Sequence, residues 1–360
     1  MFPAKINNYQ HPLKVLVAPL DWGLGHATRC IPVIRSLIAE NCEVLIAADG
    51  AIRNILQLEF PTLQFLNIEG YNISYSGSKR FLKWKLLFQF FRIRKVINAE
   101  KKWLKNAVEE NNIGVIISDN RFGLSDNRIY SIFITHQLKI RTGSYLLDIV
   151  AQRINYGFIN KYNECWVPDS HSNGFGGELS HPCKQPKIPV KYTGILSRFK
   201  PIDLPLTFQY LFLISGPEPQ RSMFEKKLTA IAEGRDNICI VRGVPSGIQN
   251  NQVNGITFFN HLPAEHLNKL ICSSKTVVCR SGYSSVMDLL ATGSTAILVP
   301  TPGQTEQEYI AGYLSEKKIF RYVDEENLDQ VFSTEAYPAV TASTETDKFI
   351  HDWVKRIKAD

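Results

Sequence analysis

The chain has 360 residues, 44% of them hydrophobic and 21% charged, which suits two or three folded domains and excludes a disordered chain. Its net charge of +7 is modest and no recognition module accompanies it, so nucleic acid is not an expected partner. Seven cysteines show no Cys-x-x-Cys spacing, residues 1–11 lack a signal-peptide core, and no apolar run of about 18 residues exists. A reduced, cytoplasmic chain without structural zinc is the expectation.

The first strand is read at 13–18, followed by the turn Gly23-Leu24-Gly25-His26 and a helix over 26–40, with Ile31, Ile34, Leu37 and Ile38 on one side. Further strands are read at 43–47, 63–67, 113–118, 130–135, 164–167 and 190–193, with long helices at 83–111 and 144–160. Such alternation predicts a parallel sheet covered on both faces. Chemistry in these sheets gathers at the carboxyl ends of strands. That singles out Asp119, which ends Val115–Ser118 and also reads as a turn residue before Asn120-Arg121, and His136 in Thr135-His136-Gln137. A dinucleotide-binding reading competes at the glycine turn, because Asp49 follows about twenty residues on. Thr28, however, stands where the third glycine of that fingerprint belongs.

Between Lys79 and Lys105 ten Lys or Arg side chains face a single acid, Glu100, and helical spacing lines up Phe81, Trp84, Phe88 and Phe91. Two readings stand. The segment lies on an anionic membrane surface, each cation adding about 1 kcal/mol, or it is a core-packed helix whose lysines snorkel.

Residues 1–197 form the expected first domain, the proline-bearing 198–206 a linker, and 207–340 a second domain. Its strands are read at 210–215, 237–241, 255–259, 275–279, 295–299 and 319–323. Ser215-Gly216-Pro217 offers a first turn, although Pro217 and Pro219 remove two N–H donors. The run Cys279-Arg280-Ser281-Gly282-Tyr283 and the turn before Gln307-Glu308 set two helix N-termini on one sheet edge, where a phosphate can sit. Asp288, Gln307 and Glu308 add a carboxylate, an amide and a second carboxylate for hydroxyls. Thr305-x-x-Glu308 also reads as a capping box.

Taken together, 15–35 and 275–312 resemble the inverting, metal-independent nucleotide-sugar glycosyltransferases with two Rossmann-like α/β domains facing across a cleft (the GT-B fold), family 28 above all, typified by the enzyme that forms lipid II of peptidoglycan. The resemblance implies a UDP-sugar donor, an N-acetylhexosamine among the candidates, and a hydroxyl acceptor on a glycan or lipid-linked molecule at the inner membrane face. It implies no metal and no further cofactor. His26 would be the base, kept neutral by its helix N-terminus, with Asp119 orienting it and His136 as the alternative. Gly25, Ser215, Gly216, Arg280, Ser281, Gly282 and Tyr283 would surround the diphosphate, Asp288 the ribose, and Gln307 and Glu308 the donor sugar. The final helix, within 341–360, would cross back onto the first domain. A nucleotide-sugar epimerase of the same fold and a non-catalytic nucleotide-sugar-binding protein remain as alternatives.

Overall fold

The computed structural model describes residues 12–21, 23–71, 82–172, 174–244 and 250–359, with the side chains of 82–93 and 250 outside the description. In chain order the first domain runs β1 (Lys14–Pro19), α1 (Leu24–Ala39), β2 (Glu43–Ala47), α2 (Gly50–Glu59), β3 (Gln64–Leu66), α3 (Leu82–Asn111), β4 (Val115–Asp119), β5 (Tyr130–Ile134), α4 (Tyr145–Ile159), β6 (Glu164–Val167) and β7 (Val190–Tyr192). Val15, Leu16, Val17 and Ala18 are wholly buried, as a strand covered on both faces requires. The strands pair in parallel in the order β3-β2-β1-β4-β5-β6-β7. The order reverses between β1 and β4, and Pro19 lies opposite Asp119 at that point. A crevice opens where such a reversal occurs.

The second domain repeats the plan with β8 (Phe208–Leu213), α5 (Gln220–Ala232), β9 (Ile238–Val241), β10 (Asn250–Val253), β11 (Ile256–Phe259), α6 (Ala264–Cys272), β12 (Ser274–Cys279), α7 (Tyr283–Thr292), β13 (Ala296–Leu298), α8 (Thr305–Glu316) and β14 (Arg321–Tyr322). Its order is β10-β11-β9-β8-β12-β13-β14, parallel except for β10, which pairs antiparallel with β11. The reversal here lies between β8 and β12, so α7 begins at the second switch point. The chain therefore folds as two Rossmann-like domains.

The last helix, α9 (Thr346–Ala359), packs on α1 of the first domain. Ser36 donates to Asp347 at 2.5 Å, and Trp353 meets Trp166 of β6 edge-on at 5.3 Å. Asp49, the residue behind the dinucleotide reading, is the N-cap of α2 and accepts from the Gly50 N–H.

Part of the basic segment, Lys79 to Phe81, lies outside the described residues, as do the side chains of Trp84, Phe88 and Phe91. From residue 94 onward α3 is an amphipathic core helix: Ile97, Glu100, Leu104, Ala107 and Val108 are buried while Lys101, Lys102 and Lys105 are exposed. Among the described residues no helix is long and apolar enough to cross a membrane.

Candidate active site

The two switch points meet through their helix N-termini. Ser284, in the first turn of α7, donates to the Gly25 carbonyl at 3.2 Å. A Cβ on Gly25 would sit 2.6 Å from the Ser284 hydroxyl, so the contact requires glycine there. One residue on, His26 sets its Nδ1 3.1 Å from an Asp119 carboxylate oxygen at the end of β4.

Arg29 stands one turn further along α1 and turns inward, with 2% of its surface exposed. Its Nε donates to Asp119 at 2.7 Å and its Nη2 to the other Asp119 oxygen. The same Nη2 lies 2.8 Å from His26 Nδ1, and Nη1 lies 3.1 Å from His136 Nδ1. Burial would raise the Asp119 carboxyl, but the charge of Arg29 and the contacts from His26 hold it well below the usual carboxylate range. Burial and the Arg29 charge push the His26 imidazole below its ordinary value, against the pull of Asp119. His26 is therefore neutral at neutral pH.

Across the cleft, Glu306 in the first turn of α8 accepts from His136 Nε2 at 2.8 Å and from the Gln137 amide. Burial would raise its carboxyl, yet His136 and the Arg29 charge hold it below its ordinary range. The His136 ring also stacks on Tyr283 at 4.4 Å. Both His136 nitrogens are thus engaged, so in this closed arrangement it is not an available base. It is a bridge between the domains.

On the donor side, Ser281 donates to the Gln307 carbonyl at 2.8 Å, and the Gln307 side chain accepts from the Thr301 N–H at 2.9 Å. These bonds tie the N-termini of α7 and α8 together beside Gly282 and Tyr283. Asp288 accepts from Ser197, in the connection between domains, at 2.5 Å, and burial raises its carboxyl to about 6. Ser215 and Gly216 are exposed at the end of β8, with Gly216 at φ +116°, a conformation that favours glycine.

Two expectations need correction. Arg280 is only 3% exposed; it pairs with Glu325 at 2.6 Å, stacks 3.7 Å over Phe224 and donates to the carbonyls of Val299 and Pro300. It braces the turn from behind rather than facing a ligand. The capping box does not form either: Gln304 is the N-cap of α8, Thr305 donates to the Arg141 carbonyl across the cleft, and exposed Glu308 accepts from the Gly303 N–H. Glu306, not Glu308, is the carboxylate that enters the cleft. Glu306 and Arg29 were missed. Their signals were weak: an arginine three residues after a candidate base, and an acid directly before Gln307.

A separate cavity of about 460 Å³ lies between the domains, lined by Ser170, Phe175, Gly194, Tyr313, Lys317 and Glu345 among others. None of the predicted site residues lines it.

Residues 245–335 match the model of the glycosyltransferase family 28 C-terminal domain, which spans α7, α8 and the turn between them. The chain is a glycosyltransferase of the GT-B fold whose second domain matches family 28 over those residues. No curated protein sequence matches it. Among solved structures, the kitacinnamycin glycosyltransferase superposes with a TM-score of 0.59 at 14% identity, covering 97% of this chain and 96% of that one. MurG of Acinetobacter baumannii gives 0.54 at 12% identity, covering 89% and 90%. A UDP-glucosyltransferase from Polygonum tinctorium gives 0.61 at 12% identity, covering 98% and 94%. At such identities these likenesses carry the fold, and the family match carries the enzyme class. In this glycosyltransferase the matched segment supplies both helix N-termini that close against the first domain.

Proposed function

We propose that this glycosyltransferase inverts configuration without a metal, moving a sugar from a UDP-sugar to a hydroxyl on a glycan or lipid-linked acceptor. The observation that carries the reading is the His26–Asp119 contact, 3.1 Å long, at one switch point and facing the α7 and α8 N-termini of the other. Among the described residues His26 Nε2 has no hydrogen-bond partner, so it is the ring atom left for an acceptor hydroxyl. The hydroxyl loses its proton to Nε2 as its oxygen attacks the anomeric carbon and the bond to the diphosphate breaks. The helix N-termini, with the N–H groups of Gly282 and Tyr283, meet the negative charge of the leaving UDP, while the buried Ser281 hydroxyl, expected on the diphosphate, instead holds the α8 N-terminus through the Gln307 carbonyl. Incubation with a panel of UDP-sugars tests the reading. UDP release that depends on an added acceptor supports it; an epimerised sugar without acceptor, or binding without turnover, replaces it with one of the two alternatives.

Asp288 serves the ribose in this reading. A carboxylate kept half-buried with a raised pKa costs stability in its ionised form, and such groups gather at functional sites. Asp288→Ala should weaken UDP binding by about 1–3 kcal/mol in calorimetry. Ser197→Ala, which removes only the neighbour of Asp288, should leave UDP affinity close to wild type. Equal losses in both would show that Asp288 acts through the domain connection alone.

The membrane face of the reading rests on α4. Tyr145, Leu146, Ile149, Val150 and Ile154 form an exposed apolar stripe that starts beside the Thr305–Arg141 contact at the cleft mouth. Arg153 is exposed within it, and at its far end Lys161 shares its surroundings with Lys101 and Arg94. Apolar groups rimmed by cations suit an anionic lipid surface. Replacing Leu146, Ile149 and Val150 by Gln should reduce sedimentation with anionic vesicles and leave Tm unchanged, because these side chains support no core. Equal sedimentation of both proteins would remove lipid from this face.

A further inference from the structure

The contacts at His26 Nδ1 cannot all be made at once. Asp119 offers only acceptors, so its contact needs a proton on Nδ1. Arg29 offers only donors, so its contact needs the Nδ1 lone pair. In the first case Nε2 is free to accept the proton of an incoming hydroxyl. In the second, the single proton of the neutral ring sits on Nε2, and His26 cannot act as base. The Arg29 contact is the shorter, 2.8 Å against 3.1 Å.

The rest of the guanidinium is fixed. Nε and Nη2 hold both Asp119 oxygens, which leaves the second Nη2 hydrogen for His26. Nη1 donates to His136 Nδ1, and that bond forces the His136 proton onto Nε2, where it meets Glu306 of the second domain. The charged and titratable groups around His26 and Arg29 are Asp119 from β4, Cys30 from α1 itself, His136 from the loop after β5, Tyr283 from α7 and Glu306 from α8. A chain of directed hydrogen bonds therefore runs from α8, across the cleft, to the ring of His26.

We propose that Arg29 is a positioning residue that holds His26 in its Nε2–H tautomer, unable to act as base, for as long as His136 is clasped by Glu306. When Glu306 is drawn away from His136, the Nη1 anchor loosens and the guanidinium pivots on its Asp119 contacts away from Nδ1; the ring then gives its Nε2 proton to solvent and takes one from solvent at Nδ1, where Asp119 accepts it in a hydrogen bond. Nε2 is then the base. This inference rests on the reading of His26 as base, but the tautomer itself is observable without any turnover.

The experiment is a long-range ¹H–¹⁵N correlation spectrum of the histidine-labelled full chain at neutral pH, without donor, with His26 assigned by the signal missing from His26→Gln. The expected wild-type pattern is a pyridine-like Nδ1 and a pyrrole-like Nε2 for His26. Arg29→Met should reverse it, since only Asp119 then remains at Nδ1. Arg29→Lys, which keeps the charge but loses the fork, covers the case in which the methionine variant does not fold, and should also move the pattern towards Nδ1–H. Glu306→Ala should shift the population the same way, less far. A wild-type ring already protonated at Nδ1 overturns the proposal, as does a pattern unchanged by both Arg29 variants. An unchanged ratio in Glu306→Ala would overturn the link across the cleft. Loss of turnover in His26→Ala is a separate result, so a failed lock and a failed base are distinguishable.

Discussion

His26→Ala should lower turnover on the true acceptor by about 10²–10⁴, equivalent to roughly 3–5 kcal/mol of transition-state stabilisation, while UDP affinity stays near wild type. The split follows from position. His26 opens α1 in the first domain, whereas all but Gly25 of the residues expected around UDP lie in the second. The pH dependence has a definite sign. The base works in its neutral form, so the rate falls as pH drops through the folded pKa and is flat above it. Burial and the Arg29 charge lower that pKa, which places the acid limb below the ordinary histidine value. Asp119→Asn is a less clean probe than a simple orienting role suggests. It leaves Arg29, 2% exposed, without its counter-ion, so the variant should lose stability as well as rate. Full turnover in His26→Ala, measured with the same acceptor, would move the base elsewhere.

The sheets were readable because burial on both faces writes a strand as an apolar run. Val115–Ser118 and Val277–Cys279 are such runs, and both are wholly buried or nearly so. The antiparallel strand β10, Asn250–Val253, was not read, because an edge strand made of Asn, Asn, Gln and Val has no apolar face to announce it. Its turn did carry a signal: Asn254 and Gly255 both have positive φ, as the tight hairpin of an Asn-Gly pair requires. At the site, His26 and Asp119 were legible as residues at strand and helix ends. Arg29 was not, since an arginine inside a helix reads as solvated until tertiary packing brings a carboxylate to it. Glu306 was not legible either, because only the docking of α8 against the first domain decides which side faces the cleft: residues 306 and 308 lie on opposite sides of the helix, and the first faces His136.

The largest stability effect is expected at Glu100, the one acid in the basic segment. Its carboxylate is 2% exposed and accepts from Arg121 at 2.8 Å, from the Tyr71 hydroxyl at 2.8 Å and from the Gly123 N–H at 2.9 Å. Arg121, two residues past Asp119, in turn donates to the carbonyls of Pro19 and Glu69, so the pair ties α3 to the end of β1. Burial raises the Glu100 carboxyl in spite of Arg121, so ionising it in the folded state has a net cost. Stability from this group should therefore decline as pH rises from the ordinary glutamate value through the raised one. The pair is a poor source of net stability, but half of it is worse. Glu100→Ala should cost about 3–5 kcal/mol, because Arg121 then stays buried as an unpaired charge. For a domain of this size that lowers Tm by roughly 6–20 °C. The double variant Glu100→Met with Arg121→Met should recover part of the loss, since no charge is stranded; the carbonyls of Pro19 and Glu69 lose their donor in it, so recovery should be incomplete. A double variant as unstable as Glu100→Ala would show that the hydrogen bonds of Arg121 to β1, rather than charge pairing, hold α3 against the edge that carries Asp119.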